Sequence, residues 1–192
     1  MNQPFQINAG DGLRLELLMP DEAPRVFAEI DRSRAHLREW LPWVDAAVNA
    51  RQTRAHLRES IEGFARGQGF SLGLFEGDVF MGMIGFHAFD MANRLTSVGY
   101  WLGEAYGGRG RMTRAVIAAC DYAFKERGIN RVTIRCATGN LRSRAIPERL
   151  GFVHEGCQRE AEWLYGQPVD LEIYAILARE WAVRKAFQPG QG

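Results

Sequence analysis

The stretch at residues 99–116, GYWLGEAYGGRGRMTRAV, restricts the fold more than any other part of the chain. Its first residues are apolar and aromatic, as in a strand, and its last residues have helical spacing. Gly107, Gly108 and Gly110 lie between them. Such a cluster forms either a flexible turn or a phosphate cradle, because glycine permits positive φ and a helix N-terminus offers unpaired N–H groups. By itself the cluster leaves both interpretations open.

The rest of the chain predicts an α/β (α+β) fold. The predicted order is β-α-α-β-β-β-α-β-α-β-β with a final short helix, and the first strand begins at Leu13. Hairpins combined with β-α-β crossovers imply a single mixed, mainly antiparallel central sheet of about seven strands, flanked by helices. No repeat or linker marks a second domain, so we expect one domain over 1–192 with a loose tail at 188–192.

Composition narrows the classes of partner. A net charge of +1 gives no bulk argument for nucleic acid or for an anionic membrane surface. Cys120, Cys136 and Cys157 form no CxxC pair, so neither a disulfide framework nor a metal site is expected. The first twelve residues lack the basic start and apolar run of a signal peptide, and no segment is apolar enough to span a bilayer. We therefore expect a cytoplasmic protein.

A second motif follows about thirty residues after the glycine cluster. In NLRSRAIPERLGF, Asn140 and Ser143 stand three residues apart at the start of a predicted helix. Taken singly, Asn140 is a candidate N-cap and Ser143 a solvated first-turn serine. Taken with the glycine cluster, the two residues indicate one binding site.

Together these motifs resemble the GNAT superfamily of N-acetyltransferases. In that family a Gln/Arg-x-x-Gly-x-Gly/Ala turn binds the pyrophosphate of acetyl-coenzyme A, and the matching window here is Gly107-Gly108-Arg109-Gly110-Arg111-Met112. Gly110 fits the middle glycine, whereas Gly107 and Met112 depart from the usual residues. The resemblance implies that this window and Thr113 bind the pyrophosphate, with added charge from Arg109 and Arg111. It also implies that Asn140 contacts the pantetheine arm.

The chain further resembles the branch that acetylates N-terminal serine or alanine of ribosomal proteins. The similar segments are HLREWLPW, the glycine stretch, NLRSRAIPERLGFVHEGCQREAEW and VDLEIYAIL. This resemblance implies acetyl transfer from acetyl-coenzyme A to a protein N-terminal amine by direct attack, with a homodimer as one oligomeric state to test. Two alternatives stay open: transfer to a small amine, including transfer from another acyl-coenzyme A, and a non-catalytic acyl-coenzyme A sensor.

The resemblance also assigns roles around the thioester. It implies that the Ser143 hydroxyl lies near the leaving sulfur and that main-chain groups of Tyr100, Trp101 and Leu102 bind the pantetheine from a splayed strand. The aromatic side chains of Tyr100 and Trp101 are expected to pack in the core.

The acceptor side is less defined by the sequence. Trp40 and Trp43 are expected to form one wall of the acceptor groove, and His87 has a suitable pKa for proton transfer. Glu160 and Glu162 share one strand face if the strand is regular, so either carboxylate is a candidate to orient the acceptor ammonium, and we place Glu160 among the substrate-binding residues. A water relay without a single base is the alternative. No metal ligand set is predicted.

Overall fold

The computed structural model describes residues 4–186, and the predicted tail at 188–192 lies outside that range. The strands are β1 (Gln6–Gly10), β2 (Leu13–Glu16), β3 (Phe70–Glu76), β4 (Val79–Asp90), β5 (Leu95–Leu102), β6 (Arg131–Ala137), β7 (Val153–Leu164) and β8 (Gln167–Leu177). The helices are α1 (Ala23–Arg32), α2 (Arg34–Arg38), α3 (Ala50–Ala65), α4 (Arg111–Asp121), α5 (Leu141–Arg149) and α6 (Ala178–Ala186). A π-helical turn, Tyr122–Glu126, continues α4.

All eight strands form one sheet in the order β1-β2-β3-β4-β5-β6-β8-β7. The predicted mixed, mainly antiparallel sheet is confirmed, and the count of about seven is low by the hairpin strand β1. This strand turns into β2 through Asp11 and Gly12, both at positive φ. The sequence prediction missed it because it is a partly exposed edge strand with little apolar alternation.

Alternating side chains give the sheet a core on each face. On one face the central strands pack against α4 through apolar residues that include Leu15, Leu72, Val98 and Ile134. On the other face α1 and α3 cover a smaller core that includes Val26, Leu57, Phe75, Phe80 and Met83. The two layers of helices hold the central strands between them.

The parallel contact between β5 and β6 is short. Residues 95–97 of β5 pair with residues 131–133 of β6, in a register of three residue pairs that ends at Ser97 and Thr133. This contact is the place where the antiparallel part formed by β1–β5 meets the part formed by β6–β8.

Beyond that short contact the two strands diverge. β5 stays paired with β4 as far as Leu102, and β6 stays paired with β8 as far as Ala137. Within the described residues, no β5–β6 pair follows Ser97, so a V-shaped gap opens in the middle of the sheet. The splayed strand implied by the family resemblance is therefore present.

Two further features limit the classes of site. None of the helices within residues 4–186 has the length and apolarity needed to cross a bilayer. The same described part of the chain contains no group of three or more His, Cys, Asp or Glu side chains arranged to hold a metal ion.

Candidate active site

A cavity of about 880 Å³ passes through the gap between β5 and β6. Its walls come from both faces of the sheet, with Ser143 of α5 on one side and His56 of α3 on the other. Small residues keep the strands from filling it, since Gly85 and Gly99 lie side by side on β4 and β5. The gap thus joins two separate binding surfaces.

The glycine turn forms an open helix N-terminus at the end of the β5–α4 connection. Gly108 and Gly110 have φ values of 83° and 70°, a conformation that favours glycine, and Gly110 is the N-cap of α4. The first helical bond runs from the Arg114 N–H to the Gly110 carbonyl at 3.0 Å. The N–H groups at the three preceding helical positions therefore have no partner within the helix and suit an anion.

The side chains of this turn divide into two groups. Arg109 is exposed and has no ion pair among the described residues. Arg111 instead binds Glu76 and lowers the pKa of that carboxyl, and Thr113 Oγ1 accepts a hydrogen bond from Arg149 Nη1 at 3.2 Å. The side chains of Arg111 and Thr113 are thus engaged elsewhere, whereas their main-chain N–H groups have no partner within the helix.

Gly107 and Met112 are the two residues of the window that depart from the family's pattern. Gly107 has φ −66° and ample space around it, so its departure from Gln or Arg leaves the main chain accessible. Met112 is 6% exposed and packs in the core beneath α4. The unusual methionine is therefore a packing residue, and its contribution to an anion site is its N–H group.

The β5 main chain presents alternate peptide groups to the gap. The Gly103 N–H donates to the Met81 carbonyl at 2.8 Å, which continues the β4–β5 ladder by one residue. Since antiparallel hydrogen bonds alternate along a strand, the Trp101 main chain faces β4, whereas the main-chain groups of Tyr100 and Leu102 face the gap. The Trp101 main-chain groups are therefore used by the β4 ladder, and pantetheine binding by the main chain of Tyr100 and Leu102 stays a prediction.

Asn140 and Ser143 lie together at the start of α5. Asn140 Oδ1 accepts a hydrogen bond from the Ser143 N–H at 3.1 Å, so Asn140 caps the helix while also lining the cavity. Ser143 Oγ lies 3.4 Å from the Tyr100 hydroxyl, which in turn donates to the Ser143 carbonyl at 3.2 Å. These bonds attach α5 to β5 across the gap.

Pro147 explains why the Ser143 carbonyl is available. In a regular helix this carbonyl would accept a bond from the N–H four residues later, and that residue is Pro147, which has no N–H. The Tyr100 hydroxyl takes the place of the missing donor. The sequence prediction assigned Tyr100 only through its main chain and missed this side-chain contact.

Cys136 also lines the cavity, on the Ser143 side. Burial raises the pKa of its thiol to about 11, and the Ser143 hydrogen bond opposes that effect only partly. Burial likewise raises the pKa of the Tyr100 phenol. Both groups are therefore protonated and neutral near pH 7, which excludes a Cys136 thiolate as an attacking nucleophile.

Aromatic side chains form the opposite wall. Trp40 and Trp43 both line the cavity, and the Trp43 ring lies 6.2 Å from that of Trp101. Trp43 is 37% exposed, so it stands at the opening, whereas Trp40 lies over Gly139. A Cβ atom at Gly139 would lie 3.4 Å from the Trp40 ring, in ordinary van der Waals contact. Both tryptophan side chains thus contribute to this wall of the cavity.

His87 stands over Gly99 on the same side as the tryptophans. A Cβ atom at Gly99 would lie 2.7 Å from His87 Nε2, and His87 occupies the irregular part of β4 between Phe86 and Phe89. His87 is exposed to solvent, yet the protein packed around the ring lowers its pKa, and the nearby Arg135 cation lowers it further. His87 is therefore neutral at pH 7.

His56 reaches the same cavity from α3. Its side chain is also open to solvent on one side, while the protein packed around the ring lowers its pKa. This imidazole is neutral at pH 7 as well. The sequence prediction did not include His56, because no feature of its helix distinguishes it from a surface histidine.

Glu160 and Glu162 of β7 do not share a face. The β7–β8 register shifts between Gln158 and Glu162, and Glu160 has a positive φ of 50° within that irregularity. Glu160 is consequently exposed and is not among the cavity-lining residues, whereas Glu162 is. The regular strand on which the substrate-binding prediction for Glu160 was based is therefore absent here.

Glu162 is the acidic residue among the side chains that line the cavity. Burial raises its pKa, and the Arg135 cation opposes the shift. The sequence prediction also missed Arg135. The signal was present, since Val132, Ile134 and Cys136 alternate as core residues and so predict that Arg135 faces the other way.

Comparisons with known proteins agree with this geometry. Residues 13–153 match the family described as "Acetyltransferase (GNAT) domain". The chain is 34% identical over 182 residues to "Putative ribosomal N-acetyltransferase YdaF" of Bacillus subtilis (strain 168), covering 94% of this chain and 100% of that protein.

Two solved structures are similar along nearly their whole length. One is RimL, a ribosomal alpha-N-protein acetyltransferase in complex with coenzyme A, with a TM-score of 0.87, 27% identity and coverage of 90% of this chain and 98% of that one. The other is an acetyl transferase from Salmonella typhimurium that modifies the N-terminal serine of a 50S ribosomal subunit protein, with a TM-score of 0.83, 28% identity and coverage of 90% and 99%.

Proposed function

The chain belongs to the GNAT family of acetyltransferases, and from that premise we propose that it acetylates the N-terminal amine of a ribosomal protein. The observation that carries the proposal is the cavity that runs through the gap in the sheet, from Ser143 and the β5 main chain to an aromatic and acidic surface. The acceptor activities of the RimL and Salmonella proteins support the choice of acceptor. The reaction is proposed to take place in the cytoplasm.

The donor half of the site fits acetyl-coenzyme A. The unpaired N–H groups of α4 and the Arg109 guanidinium would bind the pyrophosphate. The main-chain groups of Tyr100 and Leu102 would bind the pantetheine, since this part of β5 has no partner on its β6 side within the described chain. This arrangement would direct the thioester into the cavity beside the Tyr100–Ser143 pair.

The acceptor half supplies the proton chemistry. An amine must lose a proton before it attacks, and Glu162, which lines the cavity and has a raised pKa, would accept that proton directly or through water. A main-chain N–H of β5 would stabilise the developing oxyanion. The Ser143 hydroxyl would donate a hydrogen bond to the departing thiolate, which would take up the second proton that the attacking nitrogen releases as the amide forms.

Mass spectrometry of acyl transfer tests the donor and the acceptor together. The purified protein is incubated with acetyl-, propionyl- and succinyl-coenzyme A, and each donor is offered to N-terminal peptides, polyamines and free amino acids. Acetylation of peptide N-termini supports the proposal. Transfer only to small amines, or binding of coenzyme A without any transfer, contradicts it.

The role of Ser143 needs a separate variant. Ser143→Ala is expected to lower kcat by about a hundredfold, the low end of general acid–base contributions, with little change in coenzyme A affinity. An unchanged kcat contradicts the role, and a parallel loss of affinity would indicate damage to the α5 N-terminus instead.

A further inference from the structure

The cavity contains one acidic and one basic side chain that do not pair. Its other titratable lining residues are neutral near pH 7, which leaves Arg135 and Glu162 as the two charged groups among those residues. Neither makes a hydrogen bond or an ion pair with any residue between 4 and 186. Each nevertheless feels the other electrostatically, because Arg135 lowers the pKa of Glu162.

Neighbouring arginines contrast with Arg135. Arg131, on the same strand, pairs with Glu155. Arg144 donates to the Tyr174 hydroxyl at 3.3 Å and to the Thr138 carbonyl at 2.9 Å. Arg135 thus stands out as a cation that faces the cavity without a partner in the described chain.

The position of Arg135 relates it to the reacting atoms. It lies two residues after Thr133, the last β6 residue paired with β5, so it stands where the gap begins. By the alternation of the strand it faces away from the core residue Ile134, towards the surface that carries His87 and Glu162. Its charge affects the pKa of both of those residues, which places it near each of them.

We propose that Arg135 recognises a carboxylate of the acceptor, carried by the residue that follows the one bearing the amine. This inference rests on the proposed function and narrows it to protein N-termini with an acidic residue at the second position. An ammonium at Glu162 and a carboxylate at Arg135 would each meet the opposite charge, and a guanidinium binds a carboxylate through two parallel hydrogen bonds.

The same guanidinium could meet a carboxylate borne by the donor, as in a dicarboxylic acyl chain. The acceptor is favoured because Arg135 shares its face with Glu162 and His87, whereas the donor half lies towards Ser143 and Cys136. The experiment includes an arm for the donor.

Paired peptides test the inference. Acetylation of a Ser-Glu peptide is compared with that of the matched Ser-Gln peptide, in the unchanged protein, in Arg135→Gln and in Arg135→Glu. A charge-assisted hydrogen bond supports a preference of about tenfold to a hundredfold in kcat/KM for Ser-Glu. Arg135→Gln should remove this preference, and Arg135→Glu should transfer it to a Ser-Lys peptide. Arg58→Gln, an exposed change on α3 outside the cavity, is the matched control and should keep it.

The outcomes separate the two proposals. Equal acetylation of Ser-Glu and Ser-Gln by the unchanged protein overturns the inference and leaves the proposed function intact. Acetylation of neither peptide overturns the inference, and it overturns the proposed function as well when no other N-terminal peptide is acetylated. A preference for succinyl- over acetyl-coenzyme A that disappears in Arg135→Gln, without any acceptor preference, also overturns the inference by assigning the residue to the donor.

Discussion

Removing the Tyr100 hydroxyl tests how α5 is held against the gap. Tyr100→Phe eliminates the 3.2 Å bond to the Ser143 carbonyl and the longer 3.4 Å contact with Ser143 Oγ. The carbonyl then has neither its hydroxyl donor nor the N–H that Pro147 lacks. A net loss of about 1–2 kcal/mol in the free energy of unfolding follows, since each hydrogen bond contributes about 0.5–1.5 kcal/mol.

A double-mutant cycle identifies the cause. Pro147→Ala restores an N–H that can donate to the Ser143 carbonyl, so the cost of Tyr100→Phe should fall by at least about 0.5 kcal/mol in the alanine background. Equilibrium urea unfolding, followed by tryptophan fluorescence, measures all four proteins. Tyr122→Phe is the control, because the Tyr122 ring packs against Phe86 and its hydroxyl has no hydrogen bond in the described chain.

Two results would refute the reasoning. The first is a Tyr100→Phe protein as stable as the parent. The second is strict additivity of Tyr100→Phe and Pro147→Ala, which would show that the Ser143 carbonyl does not depend on the tyrosine. A thermal shift gives an independent measure, since about 1–2 kcal/mol corresponds to a Tm lower by about 2–8 °C in a domain of this size.

Three other changes test the donor and acceptor halves. Gly110→Ala should weaken coenzyme A binding and lower Tm, because Gly110 has a φ of 70° that costs an L-residue about 1–2 kcal/mol; unchanged values in calorimetric titration and thermal unfolding would contradict this. Arg109→Ala should raise the Kd for coenzyme A more than Arg111→Ala does, because the Arg111 guanidinium already binds Glu76. Arg109→Ala should also reduce the salt dependence of that Kd more. Equal effects of the two substitutions, in titrations at two salt concentrations, would contradict this prediction. Glu162→Gln should lower kcat and remove the acidic limb of the pH profile. In the parent protein that limb should lie above the ordinary glutamate pKa, because burial raises the pKa of Glu162 and the base fails as pH falls through that value.

The sequence predicted the donor half better than the acceptor half. Glycines that require positive φ, an N-cap such as Asn140 and a strand followed by a helix are local features, and local patterns indicate them directly. The side chains of Arg111 and Thr113 have other partners, Glu76 and Arg149, which are distant in the sequence. A side chain's long-range partner has no local signature.

The acceptor half depends on irregularities that a pattern does not contain. Strict alternation predicts that Glu160 and Glu162 share a face, and the shifted register of β7 separates them. Arg135 could have been placed from the alternation of β6, yet its lack of a partner is visible only when every neighbouring side chain has a position. The orientation of the Trp101 main chain likewise depends on which alternate residues of β5 hydrogen-bond to β4, and the sequence does not show this.

The three-residue parallel contact between β5 and β6 has a mechanical consequence. The sheet therefore consists of two antiparallel plates, that is, β1–β5 and β6–β8, which are joined only by these three parallel residue pairs among the described strands. A bound pantetheine would act as the absent strand between the plates, so the donor would complete the architecture as well as supply the acetyl group. Saturation at about one hundred times Kd would then add about 2.7 kcal/mol to stability, and the amides of Tyr100 and Leu102 should exchange with solvent more slowly. The protein would then be more rigid in its complex with acetyl-coenzyme A than in the free state.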